Sequence, residues 1–209
     1  MKVYGVTGGA GSGKSEVLKL LENEFNFCVI LSDDVTRALQ KKGNISYDLI
    51  VEHFGPEVLQ EDGELDRKAL AVKVFGDPAE LEALNSFTHP QTMDAIRDII
   101  RREKWIGEHS GIALETALMF ESGANEMCDE VWYVYTEPGI RRERMKTTRG
   151  YSDEKVDAVM ASQKDDEFFF RNCDFIIENN GTLDEVREQL CRKLEGACGE
   201  TPDPEGREP

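Results

Sequence analysis

The segment that most narrows what this chain can fold into lies near its start. There Gly8-Gly-Ala-Gly-Ser-Gly13-Lys14-Ser15 follows the short apolar stretch Lys2 to Val6. It runs on into a segment that sets Val17, Leu18, Leu21 and Phe25 on one helical face. Strand, G-x-x-x-x-G-K-S and helix, in that order, make a phosphate-binding loop. Glycines let the backbone curl until successive N–H groups converge, and the helix start adds the positive end of its dipole. The geometry assigns roles: Gly8 opens the loop, the amides of Gly11, Ser12, Gly13 and Glu16 face phosphate, and Lys14 reaches the β- and γ-phosphates. The Ser15 hydroxyl is the expected Mg2+ ligand. A glycine-rich turn without a ligand is the plain alternative, and it leaves the flanking strand and helix unexplained.

Four more short, apolar, β-branched or aromatic segments follow: Cys28 to Leu31, Gly111 to Leu114, Val131 to Tyr135 and Phe175 to Ile177. Such runs suit strands buried on both faces of a parallel sheet, with helices between them. The expected architecture is therefore α/β, three-layered, with a five-stranded parallel sheet. Helix starts are expected at Ser152 and at Thr182, where Glu185 stands at capping-box spacing. About 80 residues separate the second and third strands, far more than a crossover needs. The excess reads as a helical insertion over 36–109, and a second insertion over 139–171 as a lid. The nucleotide-binding core then comprises 1–35, 110–138 and 172–195. The Gly-, Pro- and Glu-rich end, 196–209, is expected to be a disordered tail.

The formal net charge of −17 excludes a general nucleic-acid binder, which needs clustered Lys and Arg. It also makes the basic run Arg141, Arg142, Arg144, Lys146 and Arg149 conspicuous. No apolar run approaches the length that spans a bilayer, so a cytoplasmic protein is expected. Cys28, Cys128, Cys173, Cys191 and Cys198 show no metal-binding spacing and read as reduced structural thiols.

A phosphate loop alone does not separate a kinase from a switch GTPase or a motor ATPase. No N-K-x-D for guanine is present, the only D-x-x-G (Asp203 to Gly206) falls in the tail, and no apolar run ending in Asp-Glu follows the third strand. Instead, Ser32-Asp33-Asp34 closes the second strand, where strand ends face the ligand crevice. Asp33 suits a base that takes a proton from an acceptor hydroxyl, and Arg144 and Arg149 suit a cationic lid over the transferred group. The structural alternatives are a cap on the next helix for Asp33 and solvated surface charge for the arginines.

Several segments, in order over about residues 1 to 190, resemble the dephospho-CoA kinase family. The opening Val6 to Ser15 is similar to that family's loop. Ser32-Asp33 with Arg37 resembles its Asp-Ala-Asp-x-x-Ala-Arg, whose second acid, taken as the catalytic base, falls on Asp33; Leu31 stands in place of the first. Phe87-Thr-His89-Pro90 resembles Leu-Leu-His-Pro, and Ala117-Leu-Met-Phe-Glu121, with Glu115 just ahead, resembles Pro-Leu-Leu-Phe-Glu with alanine for proline. Glu137-Pro138 through Arg144 and Arg149 to Gln163 is similar to the family's lid, with Arg144 to Arg149 one residue longer. Asp174 to Gly181, with Asn179, resembles the end of the last strand near the nucleotide base.

The resemblance implies a P-loop kinase fold and transfer of phosphate from ATP, with Mg2+, to the ribose 3′-hydroxyl of dephospho-CoA. Arg37, His89 and Glu121 would face the acceptor, and no protein partner is implied. Read as residues alone, His89 before Pro90 also suits a helix start or kink, Glu115 and Glu121 paired surface acids, and Asn179-Asn-Gly181 a turn. The rivals are another P-loop kinase, acting on a nucleoside monophosphate, and a regulatory nucleotide-binding protein.

Overall fold

A computed structural model describes residues 1–194, so the expected tail at 196–209 lies outside the described residues. In chain order the elements begin β1 (Lys2–Thr7), α1 (Lys14–Phe25), β2 (Phe27–Leu31), α2 (Ser32–Leu39), α3 (Ile45–Phe54), α4 (Arg67–Val74) and α5 (Pro78–Ile106). They continue with β3 (Gly111–Glu115), β4 (Glu130–Tyr135), α6 (Pro138–Arg149), α7 (Asp153–Ala161), α8 (Asp166–Asn172), β5 (Phe175–Glu178) and α9 (Leu183–Lys193). All five expected strands form, each within one residue of its expected ends. They make one parallel sheet in the order β2-β3-β1-β4-β5.

Period-two alternation splits each central strand between two apolar clusters. Tyr4, Val6, Trp132 and Val134 point to one face, where they meet Val17 and Leu21 of α1 and Val186 and Leu190 of α9. Val3, Ile112, Leu114 and Val131 point to the other, against Ile96 and Ile100 of α5. Each large apolar side chain buried this way contributes about 1.5–3 kcal/mol, so both faces must be covered and the sheet is the middle of three layers. Gly5 lies between Tyr4 and Val6, where a Cβ would stand 2.9 Å from both Cys128 Sγ and Met119 Cε. Only glycine lets the chain after β3 close onto β1 at that point.

The insertion has a core of its own: Tyr47, Ile50, Phe54, Val58, Leu65 and Leu70, with Leu84 and Phe87 from the first half of α5 packed against it. The second half of α5 packs on the sheet, so this one helix belongs to both bodies. It starts at an Asp77 cap, whose carboxylate accepts from the amides of Ala79 and Glu80, and continues through Pro90. His89-Pro90 is therefore not a helix start. Ser152 caps α7 by accepting from the Lys155 amide, and Thr182 and Glu185 form the expected capping box on α9. Cys28, Cys128 and Cys173 are free thiols. Burial pushes the thiols of Cys128 and Cys173 up to about 12, which makes them structural.

Candidate active site

In a parallel sheet all carboxyl ends lie on one edge, and β1 delivers the glycine-rich loop there. Gly11 and Gly13 have φ of 78° and 85°, in the left-handed region that side chains disfavour. A Cβ on Gly13 would also collide with Asn179 Nδ2. Helix α1 starts at Lys14 with no side-chain cap; the Glu16 amide donates to the Gly13 carbonyl at 3.0 Å, and those of Lys14 and Ser15 are left to be satisfied from the cleft.

The loop is held from three sides. The Ser12 carbonyl accepts from Asn179 Nδ2 at 2.7 Å, from Thr136 Oγ1 at 3.0 Å and from Arg144 Nη1 at 3.5 Å. Arg144 Nη2 also donates to the Asn179 carbonyl at 3.0 Å. At the loop's apex, the Ala10 carbonyl accepts from Arg141 Nε at 3.0 Å, and the Ala10 amide donates to Gln163 Oε1 at 3.2 Å. The same Gln163 oxygen accepts from Arg141 Nη2 at 2.6 Å. Arg141 is only 5% exposed, and a buried guanidinium is tolerated when its donors are used. Asp166 lies 3.7 Å from Arg141 Nη1 and accepts from Tyr133 Oη at 2.6 Å, which completes the set.

Lys14 Nζ donates to the Gly8 carbonyl at 2.7 Å and lies 3.8 Å from Glu115 Oε1, at the end of β3. Both side chains are 17% exposed. Burial lowers the Lys14 ammonium below its usual range, helped by Arg149 and Arg141 and opposed by Glu115 and Asp33. Burial raises the Glu115 carboxyl, with Lys14 opposing and Asp33 and Asp34 adding to the rise. The fold thus disfavours both charges even as the two offset each other. A carboxyl raised in the fold contributes stability that is fully present below its unfolded value and lost as pH rises through its folded one. The unfolding free energy of Glu115→Gln relative to the parent is therefore expected to rise in urea titrations as pH increases upward from the ordinary carboxylate value of 4.5. A flat difference would show that the fold leaves this carboxyl unshifted.

A cleft of about 750 Å3 opens over these groups. It is lined by the loop backbone at Gly11 and Gly13, by Lys14, Ser15 and Glu16, and by Glu115, Arg144, Arg149 and Asn179. Most of the predicted site residues thus come together, with Gly8 and Ser12 supporting the loop from behind. Asp33 sits in the first turn of α2 and acts electrostatically on Lys14 and Glu115. It is not a cap, because α2 begins one residue earlier and has no side-chain cap. Arg37 pairs with Asp34 at 2.9 Å, Glu121 with Lys164 at 3.4 Å, and His89 is exposed on α5. None of these three lines the cleft, and neither does Asp33, which is exposed.

Glu115, Arg141 and Gln163 were not among the expected site residues. A signal for Arg141 existed: Met145, the only apolar residue of the basic run, is buried, and Arg141 stands one helical turn before it on the same face. Glu115 carries no local signal, since Lys14, far away in sequence, gives it its setting.

Five parallel strands in this order, a phosphate loop after the central strand and an arginine-bearing helix against that loop define a P-loop kinase fold. A shikimate kinase from Bacteroides thetaiotaomicron shares this fold, with a TM-score of 0.52 at 11% identity over 93% of this chain and 96% of that one. The dephospho-CoA kinase family profile matches residues 2–185, and the chain belongs to that family. Similar relatives include the dephospho-CoA kinase of Carboxydothermus hydrogenoformans, 33% identical over 93% of this chain and 94% of the relative. That of Bacillus anthracis is 37% identical over 90% and 93%. The dephospho-CoA kinase structure from Campylobacter jejuni superposes with a TM-score of 0.69 at 26% identity, covering 92% of this chain and 95% of that one.

Proposed function

We propose that this chain transfers the γ-phosphoryl group of ATP to the ribose 3′-hydroxyl of dephospho-CoA, giving CoA in the last step of that pathway. The observation that carries the reading is the family match over residues 2–185, which takes in the phosphate loop, the helical insertion and the lid together. ATP would bind with its phosphates on the amides of Gly11, Ser12, Gly13 and Glu16 and on Lys14, the Ser12 and Glu16 amides exchanging their bonds to the Gly9 and Gly13 carbonyls for phosphate, and with its base toward Asn179. Asp33 would accept the hydroxyl proton, and Arg144 and Arg149 would neutralise charge on the transferred group. Arg37, His89 and Glu121 are assigned to the acceptor, which the insertion would hold. Ser15 and Glu115 both line the cleft and offer the hard oxygen donors that Mg2+ takes, with Ser15 the assigned ligand. When bound, the ion supplies positive charge to the β- and γ-oxygens. A cytoplasmic location, where ATP is at hand, goes with this reading.

The test is ADP release from Mg-ATP with dephospho-CoA, AMP, CMP, dUMP, shikimate or water as acceptor. Rapid turnover is expected only with dephospho-CoA, and the product should comigrate with CoA. Turnover with a monophosphate instead would keep the fold and chemistry and overturn the acceptor. Equally slow hydrolysis with every acceptor would favour a regulatory nucleotide-binding protein.

A further inference from the structure

The edge of the sheet opposite the cleft carries a second group of chemically capable side chains. Cys28 is the second residue of β2, Glu103 is in the last turn of α5, and His109 lies in the connection from α5 to β3. One ligand atom from each, a sulfur, a carboxylate oxygen and a ring nitrogen, lie within 4.8 Å of one another. His109 Nδ1 and Glu103 Oε2 are already 3.1 Å apart. No other trio of this kind occurs among the described residues. We propose that Cys28, Glu103 and His109 form a binding site for a thiophilic divalent cation of the zinc class, separate from the catalytic cleft.

Ligand chemistry and rigidity carry the proposal. A thiolate, an imidazole and a carboxylate are the donor types Zn2+ takes, at about 2.3, 2.0 and 2.0–2.2 Å, which puts ligand atoms about 3.5 Å from one another. The side chains need move only by about an ångström to reach that spacing. All three are partly buried, so holding them costs less entropy than gathering exposed side chains. Their backbones are fixed: Cys28 pairs in register with Ile112 of β3, and Gly107 closes α5 with φ of 72°. Asn26 then clasps the connection, its Nδ2 donating to the Glu108 carbonyl at 3.0 Å and its carbonyl accepting from the Ser110 amide at 2.9 Å. The carboxylates that act on the Cys28 thiol are those of Glu103 and Glu22, so the surroundings favour a cation. Binding would form a metal–sulfur bond and release the thiol proton to solvent, with the fourth position left to water.

The test uses the full chain, stripped of metal and free of nucleotide, with Co2+ as the spectroscopic probe and Zn2+ as competitor. One Co2+ per chain is expected, with a thiolate-to-cobalt charge-transfer band that Zn2+ abolishes. Cys28→Ser should remove the band, and Glu103→Gln and His109→Gln should each weaken Zn2+ binding at least tenfold. Zn2+ should raise the thermal midpoint of the parent and leave that of Cys28→Ser unchanged. No thiolate band in the parent, or the same band in Cys28→Ser, would overturn the site. If Cys28→Ser does not fold, unchanged Zn2+ affinity in both Gln variants would overturn it equally. Kinase turnover with Mg-ATP should persist in all three variants, since none touches the cleft.

Discussion

Replacing Lys14 with Met is expected to lower kcat by about 10^3-fold, the scale seen when one charged or hydrogen-bonding group aimed at developing charge is removed. Met keeps the aliphatic stem and its packing, so the loss isolates the ammonium. That ammonium stands between the Gly8 carbonyl and Glu115, in a site whose burial already works against its charge. A phosphoryl group arriving there would supply the anion that the lysine lacks in sufficient strength, so the interaction should grow toward the transition state. ADP release under saturating ATP and dephospho-CoA measures the effect, and a binding titration with ATP separates it from weakened affinity. A variant that keeps kcat within about tenfold would show that the loop amides and lid arginines suffice, and Lys14 would lose its assignment.

Asp33→Asn is expected to lower kcat by about 10^2 to 10^4-fold while ATP affinity stays within about twofold, as for a base that acts on the acceptor and not on the nucleotide. Asp34→Asn is the matched control. The two acids are neighbours in the first turn of α2 and both act on Glu115, yet Asp34 is tied to Arg37, whereas Asp33 also acts on Lys14. The control should retain most of its turnover. Equal losses in both variants would point to a general effect of charge at the head of α2, and no loss in Asp33→Asn would remove the base. Leu31 lines the cleft, so a base at Asp33 would act without a second carboxylate at that position.

What could be read from the chain ahead of its structure follows a physical division. Strands buried on both faces must be apolar at nearly every position, so Val131 to Tyr135 announces itself. The phosphate loop is equally local: Gly11 and Gly13 are there because of φ, and Lys14 and Ser15 follow at fixed spacing. Thr182 and Glu185 cap by neighbours three residues apart. Glu115 is different, because an acid at a strand end looks the same whether it meets water or a buried lysine. The five basic residues of α6 differ only in helical phase, which turns Arg141 inward, sends Arg144 to the Asn179 carbonyl and leaves Arg149 exposed at the cleft. The trio of Cys28, Glu103 and His109 spans three elements, and spacing along the chain carries no trace of it.

Helix α5, at 29 residues, is about 43 Å long, with one end in the insertion's core and the other against the sheet. Pro90 sits between these two contacts and lacks the amide that would bond the Ser86 carbonyl, so the rod bends there at least cost. A hinge at this point would let the insertion swing over an acceptor while both apolar clusters stay intact. Pro90 is thus the point of least resistance to bending along this helix, with a packed apolar cluster on either side of it.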